Sequence, residues 1–453
     1  MRILKTAWVA LLLSVPADAQ IVAQPSAGAY QRAVAAGYKA ALYCSGLFNA
    51  GRTPSQIDAD ELAGIYPEYD AIVPTLTADV DRGRRSVAVA FDPNLPPRRS
   101  TWSEGHGCVS LPIGSMAPAG ATSARASGIA GADARRWPQG DAGIVPHPSA
   151  ALAQVVGKAF EAAYGVGSKT IGVVVVQDGR IVAERYGHGF GPFVSNRTWS
   201  VGKSIAGTLI GMANAGAIDA PVSIPQWRAG DPRRAIRLDH LLRMASGLHS
   251  DTAGNRTDAV YFGGGTVDEQ TVSWPLEALP GTRFRYANND ILLAVYATRL
   301  AIGEERYRAL PERLFGTLGM SHTVAETDWH GNYILSSQIW STARDLARLG
   351  LFWSQDGAWA GQRLLPEGWM RRITTASGPQ PANGPGYGAT MWLFGPKQGL
   401  PEGTFAAQGN RGQYVMVIPS RRLVIVRRGE DPGMARFDIA RFASDIAAAL
   451  QPG

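Results

Sequence analysis

The chain has little cysteine, little lysine and no long apolar run in its interior. Only two of the 453 residues are Cys, and neither a Cys-x-x-Cys nor a His-Glu-x-x-His spacing occurs, so we expect no metal site and no cofactor. Beyond the first residues no segment reaches about 18 uninterrupted apolar residues, so no transmembrane helix is predicted. Lys and Arg together number 44, of which six are Lys. A Lys therefore stands out against a background of Arg, which cannot release its proton.

The net charge of +7 is not gathered into one basic surface. Arginines occur in dispersed pairs, such as Arg84-Arg85 and Arg421-Arg422. Nucleic acid is therefore not an expected partner, although a mild preference for anionic substrates or envelope surfaces remains open. Nothing in the composition predicts an oligomeric state.

Residues 1–19 have the pattern of a signal peptide. Arg2 and Lys5 precede an apolar run from Ala7 to Val15, and Ala17-Asp18-Ala19 precedes Gln20. The apolar run is too short to span a bilayer. We expect a periplasmic or secreted protein that begins near Gln20.

Both cysteines, Cys44 and Cys108, would remain after removal of such a signal. In an oxidising compartment an even pair predicts one disulfide, whereas the alternative is two unrelated buried thiols.

Residues 20–150 differ from the rest in composition and in predicted secondary structure. We interpret them as an N-terminal extension and linker. An Ala-rich helix is expected from Ala29 to Tyr43, and strands at Ser86–Phe91 and Cys108–Leu111. A passage rich in Gly, Ala, Ser and Pro from Met116 to Pro148 predicts a linker or a segment draped over the surface.

Residues 151–453 form the second predicted unit. Two β-branched runs flank Asp178-Gly179, which predicts a hairpin of Ile171–Gln177 and Arg180–Tyr186. A helical middle follows, and strands return late in the chain before a final Ala-rich helix. Helices are expected at Ala151–Tyr164, Leu238–Ala245, Asp290–Leu300, Ser341–Trp353, Glu367–Ile373 and Phe437–Leu450, and late strands at Ala389–Leu393, Phe405–Gln408, Gln413–Ile418 and Leu423–Arg427. This order predicts an α+β fold, in which an antiparallel sheet assembled from both chain ends lies beside an all-helical lobe.

Ser200 and Lys203 form the only Ser-x-x-Lys in the chain. An offset of three on a helix places both side chains on one face, and burial lowers the pKa of a Lys so that it can accept the proton of a neighbouring hydroxyl. The alternative without catalysis is a Ser that caps the helix N-terminus, followed by a solvated Lys. Apolar and small residues up to Ala213 leave this helix almost no polar face, which favours burial.

Two other interpretations of this stretch fail on spacing. A phosphate-binding loop needs a Gly five residues before its Gly-Lys pair, and Arg197 stands there. A Gly-x-Ser-x-Gly nucleophile elbow occurs nowhere in the chain.

Two further motifs lie downstream. Tyr286 and Asn288 form the only Tyr-x-Asn, in which a tyrosinate beside a buried Lys is a plausible general base. Taken alone, the motif favours an ordinary aromatic residue before a helix cap. Gly409, Asn410 and Arg411 lie between two predicted strands. Glycine there permits close backbone approach, so that a main-chain N–H can face an oxyanion, and the alternative is an ordinary β-turn.

The order of these three motifs resembles the serine β-lactamase and penicillin-recognising family. The resemblance covers about residues 150 to 450, and it is greatest to the class C-like branch, which includes D-alanyl-D-alanine carboxypeptidases, EstB-type esterases and 6-aminohexanoate-dimer hydrolases. It implies Ser200 as the nucleophile, Lys203 and Tyr286 as proton carriers, and the N–H groups of Ser200 and Asn410 as oxyanion donors.

The sequence departs from this family at its Lys-Thr-Gly strand, where Ala407-Gln408-Gly409 stands. The resemblance then implies a hydrolase of a small amide or ester substrate, because the Lys that binds a β-lactam or peptide carboxylate is absent. Arg411 is either a replacement charge or an exposed turn residue. The alternatives kept open are a carboxypeptidase or β-lactamase, and a catalytically silent envelope-binding homologue.

Overall fold

The computed structural model describes residues 27–116, 131–213, 218–250 and 257–450. The signal peptide predicted for residues 1–19 lies outside these ranges, as does part of the passage predicted to be a linker. The helices are α1 Ala27–Phe48, α2 Pro54–Ala59, α3 Pro67–Asp70, α4 Ala150–Ala159, α5 Val201–Ala213, α6 Leu238–Leu242, α7 Asp258–Tyr261, α8 Val267–Gln270, α9 Asn288–Ile302, α10 Glu304–Leu318, α11 Ala343–Ser354, α12 Trp369–Ile373 and α13 Ile439–Ala449.

Within the described ranges the strands form two larger sheets and two small ones. They are β1 Ala78–Asp81, β2 Ser86–Val89, β3 Arg98–Ser103, β4 Gly107–Ser110, β5 Thr170–Gln177, β6 Arg180–Tyr186, β7 Asn196–Arg197, β8 Val324–Ala325, β9 Ile339–Ser341, β10 Ala358–Trp359, β11 Gln362–Arg363, β12 Gly386–Tyr387, β13 Trp392–Phe394, β14 Thr404–Gly409, β15 Gln413–Ile418 and β16 Leu423–Gly429.

The central sheet has seven antiparallel strands in the order β12-β13-β14-β15-β16-β5-β6. The early hairpin pairs with the last strand of the chain, because β5 lies beside β16 with Val174 opposite Val426. This pairing confirms the prediction of one antiparallel sheet built from both chain ends beside helices.

Both faces of this sheet are covered, which explains its runs of buried β-branched residues. On one face Val173 and Val175 pack in a core with Phe442 from α13 and Leu152 from α4. On the other face Val174 and Val176 belong to the larger core, which includes α5, α9 and α11. The alternation follows the two-residue period of a strand.

The N-terminal extension folds as a four-stranded meander, β1-β2-β3-β4, packed on α1. Cys44 of α1 and Cys108 of β4 form a disulfide with a sequence separation of 64. Buried residues of α1 belong to the same hydrophobic core as those of α5 and α9, so the core is continuous across residue 150. None of the helices in the described ranges is both long and apolar enough to cross a bilayer.

Local details differ from the sequence predictions. The first helix after residue 150 ends at Ala159 instead of Tyr164, because Ala162 has a left-handed φ of 55°. Helix α10 was not among the predicted helices; it contains Pro311, and Leu314 and Leu318 are fully buried. The late strand expected at Ala389–Leu393 is shorter and shifted, and forms β13.

Candidate active site

The site begins at the N-terminus of α5. Ser200 directly precedes this helix, and Lys203 lies in its first turn. Trp199 has a φ of +52°, a left-handed conformation that costs a non-glycine residue about 1–2 kcal/mol. The Arg197 guanidinium packs over the Trp199 ring at 3.8 Å, which holds this turn in place. The turn therefore fixes Ser200 at the head of a helix that is buried along its whole length.

Lys203 is only 1% exposed and has three hydrogen-bond partners. Its Nζ lies 2.8 Å from Ser200 Oγ, 2.5 Å from Asn288 Oδ1 and 2.9 Å from the Ser336 carbonyl oxygen. No carboxylate forms an ion pair with Lys203 among the described residues. The structure therefore brings Ser200, Lys203 and Asn288 together.

Burial holds the pKa of Lys203 well below its ordinary value, and the nearby charge of Arg197 lowers it further. A neutral Lys amine has two N–H bonds, which match the two purely accepting oxygens of Asn288 and Ser336. The remaining lone pair then faces the Ser200 hydroxyl. This arrangement can accept the hydroxyl proton.

Arg197 is a buried cation that sequence reasoning used only to reject a phosphate-binding loop. It is 2% exposed, and its Nη2 donates to Ser337 Oγ at 2.8 Å. Among the described residues it makes no ion pair, and its Nη1 has no hydrogen-bond partner. In the sequence, its position three residues before Ser200 was the one local sign that its charge lies near the nucleophile candidate.

Tyr286 lies just before α9, with its ring centroid 5.0 Å from Lys203 Nζ. Burial raises the pKa of Tyr286, and the neighbouring Ser200 side chain offsets this rise only in part. A tyrosinate at Tyr286 would need a charged ammonium beside it, and the lowered pKa of Lys203 disfavours that charge. The two pKa shifts therefore favour a neutral Tyr286 phenol.

Gly409, at the end of β14, passes close to the turn that carries Ser200. A Cβ at Gly409 would lie 2.4 Å from the Thr198 carbonyl oxygen and 3.1 Å from Ser200 N, so only glycine fits there. Asn410 follows at the cavity surface. The end of β14 therefore lies directly against the turn that carries Ser200.

Arg411 was expected to be either a replacement charge or an exposed turn residue. It is not an exposed turn residue, since it is 6% exposed. Its Nε donates to Glu430 at 2.7 Å, and its Nη2 donates to the Asp60 carbonyl oxygen at 2.6 Å. Its charge is thus engaged by Glu430 and by the N-terminal extension. Ala407, which the resemblance places at the position of the Lys-Thr-Gly lysine, is fully buried in β14.

These residues open into a cavity of about 540 Å³. This volume is within the range of small-molecule sites. Ser200, Tyr286, Asn288, Gly409 and Asn410 line it together with residues of the N-terminal extension. Across the described ranges no three His, Cys, Asp or Glu side chains lie close enough to hold a metal ion.

A family model described as β-lactamase matches residues 158–446, which is more than half of the chain. The chain belongs to the β-lactamase family. The match includes the Ser-x-x-Lys turn, the Tyr-x-Asn segment and the β14–β15 hairpin, which the structure brings together at one cavity. The family predicted from the three motifs is confirmed.

Individual β-lactamase-family relatives are distant. The 6-aminohexanoate-dimer hydrolase of Paenarthrobacter ureafaciens is 24% identical over 291 residues, which cover 57% of this chain and 72% of the relative. A Bacillus anthracis structure provisionally named a 6-aminohexanoate-dimer hydrolase aligns with a TM-score of 0.54 and 20% identity, over 65% of this chain and 80% of that one. A class C β-lactamase aligns with a TM-score of 0.51 and 14% identity, over 68% of this chain and 100% of that one.

The structural likenesses establish the fold alone. Together with family membership, the curated relative supports a hydrolase. The N-terminal extension, including both cysteines, lies outside the residues that the family model matches.

Proposed function

We propose that this β-lactamase-family protein is an exported serine hydrolase that cleaves an amide or ester bond through an acyl-enzyme on Ser200. The observation that carries the proposal is the 2.8 Å contact of Lys203 Nζ with Ser200 Oγ, made by a buried lysine that has no carboxylate partner among the described residues. A hydroxyl becomes an effective nucleophile when an adjacent base removes its proton.

The first half-reaction follows from this geometry. Ser200 Oγ attacks the substrate carbonyl carbon as its proton moves to Lys203 Nζ. The carbonyl oxygen becomes an oxyanion that accepts hydrogen bonds from the N–H groups of Ser200 and Asn410. A donor of this kind contributes about 3 kcal/mol to the stability of the transition state.

Tyr286 acts on the leaving group. Its neutral hydroxyl lies next to Ser200, so it donates a proton to the departing amine or alkoxide and recovers one from Lys203. In the second half-reaction a water attacks the acyl carbon, its proton moves to the same pair, and Ser200 leaves with a proton. Asn288 orients the Lys203 amine through its Oδ1 in both steps.

The preferred substrates lack a carboxylate beside the scissile bond. Ala407 offers no charge, and Arg411 is engaged by Glu430 and backbone carbonyls. A lost charge-assisted contact is worth roughly 1.5 to 3 kcal/mol, about ten- to a hundredfold in specificity. This difference favours an esterase or amidase over a β-lactamase or a carboxypeptidase.

Hydrolysis of p-nitrophenyl esters and of nitrocefin by the mature protein tests this proposal. We expect the esters to have the higher kcat/KM. Ser200→Ala should abolish ester hydrolysis and labelling by a fluorophosphonate probe, whereas the control Ser204→Ala, which removes a buried hydroxyl on the same helix, should keep both. A preference for nitrocefin would support the β-lactamase alternative, and equal labelling of Ser200→Ala would overturn the nucleophile.

The catalytically silent alternative predicts neither turnover nor labelling of the folded wild-type protein. Export is supported by the sequence pattern of residues 1–19 and by the disulfide between Cys44 and Cys108. A periplasmic or extracellular location is tested by fractionation of cells that express the full chain.

A further inference from the structure

One wall of the cavity comes from the N-terminal extension. Residues 64–66, which lead into α3, and Pro67, its first residue, line the same cavity as Ser200 and Tyr286. This stretch lies outside the residues that match the β-lactamase family model. The wall is therefore a feature that family membership does not supply.

Arg411 fixes this wall to the hydrolase core. Its Nη1 donates to the carbonyl oxygens of Ala63 at 2.9 Å and Gly64 at 3.2 Å. Gly433 N donates to the same Gly64 oxygen at 3.1 Å. A Cβ at Gly64 would lie 2.7 Å from the Pro432 side chain, so the two segments touch. The wall is thus held in place beside Asn410, one residue before Arg411.

Tyr66 is the aromatic side chain of this wall. Its ring makes edge contacts with Tyr38 and Tyr69, each at a centroid distance of 6.5 Å. Tyr38 is fully buried and packs on Phe262 of the hydrolase unit at 4.2 Å. Pro67 at the start of α3 fixes the backbone after Tyr66. The ring is half-buried, and its orientation is set before any substrate binds.

Other aromatic side chains line the cavity, including Trp392 of β13, whose ring lies 5.4 Å from that of Tyr286. Two of the charged side chains that line the cavity are engaged within the protein. Arg411 pairs with Glu430, and Asp431 pairs with Arg427 at 2.7 Å. The third, Arg436, is exposed, and its Nη1 donates to the carbonyl oxygens of Gly433 and Ala435. The interior therefore offers aromatic faces for binding.

We propose that Tyr66 is a specificity-determining residue, which contacts an aromatic or flat apolar group of the substrate while Ser200 attacks its carbonyl. This inference rests on the proposed function. Aromatic rings prefer offset or edge contacts with other rings, and a ring held in place by its neighbours loses little conformational freedom on binding. The preferred substrates are then ring-bearing, uncharged esters or amides.

Three esters separate ring binding from catalysis. Ethyl acetate carries no ring, ethyl phenylacetate carries one on the acyl side, and benzyl acetate carries one on the alcohol side. The kcat/KM of each variant is divided by that of wild type for the same ester, so that the intrinsic reactivity of the ester cancels. Variants are Tyr66→Ala, Tyr66→Leu, which keeps bulk without a ring, and Tyr66→Phe. The control is Tyr30→Ala, since Tyr30 is 50% exposed on α1 and does not line the cavity.

We expect Tyr66→Ala and Tyr66→Leu to lower kcat/KM about tenfold for at least one ring-bearing ester, mainly through KM. Ethyl acetate should change less than about twofold, and Tyr66→Phe and Tyr30→Ala should resemble wild type. If Ser200-dependent hydrolysis persists but all three esters respond equally to the Tyr66 variants, the inference is overturned and the proposed function stands. If hydrolysis persists in Ser200→Ala, the proposed function is overturned as well.

Discussion

Lys203 Nζ lies 2.8 Å from Ser200 Oγ, while its two other partners, Asn288 Oδ1 and the Ser336 carbonyl oxygen, can only accept hydrogen bonds. A neutral amine satisfies both acceptors and keeps its lone pair for the serine proton. In the proposed mechanism the pair forms an activated nucleophile when Lys203 is uncharged, and burial favours that state.

Replacement of Lys203 tests whether its removable proton matters. Lys203→Arg should be nearly as damaging as Lys203→Ala, because a guanidinium keeps its proton at any working pH. The measurement is kcat/KM for one p-nitrophenyl ester in wild type and both variants. Retention of more than about a tenth of wild-type activity by Lys203→Arg, about 1.4 kcal/mol of barrier, would make Lys203 a structural cation.

Arg197 should set the pH range of activity through Lys203. Its charge lowers the pKa of Lys203, so Arg197→Gln should raise that pKa. Because the neutral amine is the active form, the acid limb of the kcat/KM profile should move to higher pH. Arg197→Lys keeps a positive charge near the site and is the matched control, in which the limb should move less. An unchanged acid limb in Arg197→Gln would exclude this electrostatic role.

Glu326 links the N-terminal extension to the loop that carries Ser336. Its carboxylate accepts hydrogen bonds from Ser45 Oγ at 2.6 Å and Cys108 N at 3.1 Å, and its carbonyl oxygen accepts from Ile334 N. Burial raises the pKa of Glu326 from 4.5 to about 7. The folded state therefore holds this proton more tightly than the unfolded chain. The contribution of Glu326 to stability should fall as pH rises from about 4.5 to 7 and stay constant above that.

Glu326→Gln removes this dependence. The difference in unfolding free energy between the variant and wild type should shift in favour of Gln by about 3 kcal/mol between pH 4 and pH 8. Denaturant unfolding at both pH values measures it, with Glu104→Gln as a control at an exposed glutamate of the extension. A difference that does not change with pH would show that Glu326 has an ordinary pKa.

Local sequence patterns were sufficient to predict the main helices and strands around the central sheet. The Asp178-Gly179 hairpin, the buried helix after Ser200 and the strand pair around Gly409 were all visible as short sequence signals, and the structure contains each of them. Their assembly into one antiparallel sheet followed from the order of the elements. Short-range periodicity carries this information because each strand or helix must bury one face.

Contacts between distant parts of the chain could not be predicted in this way. Ser336 is 133 residues from Lys203 in sequence, and its acceptor is a backbone carbonyl, which leaves no residue-type signal. Arg411 was considered for the substrate because of its position, but its partners lie about 350 residues away in the extension. The contribution of Tyr66 to the cavity depends on the same contacts.

Trapping of the acyl-enzyme is the most direct test of the central claim. Wild type, Ser200→Ala and Ser204→Ala are mixed with a p-nitrophenyl ester, quenched in acid during turnover, and digested for peptide mass spectrometry. We predict that the peptide with Ser200 gains the mass of the acyl group in wild type and Ser204→Ala, and that no peptide of Ser200→Ala does. Acylation of another residue, or steady hydrolysis by Ser200→Ala, would contradict the account.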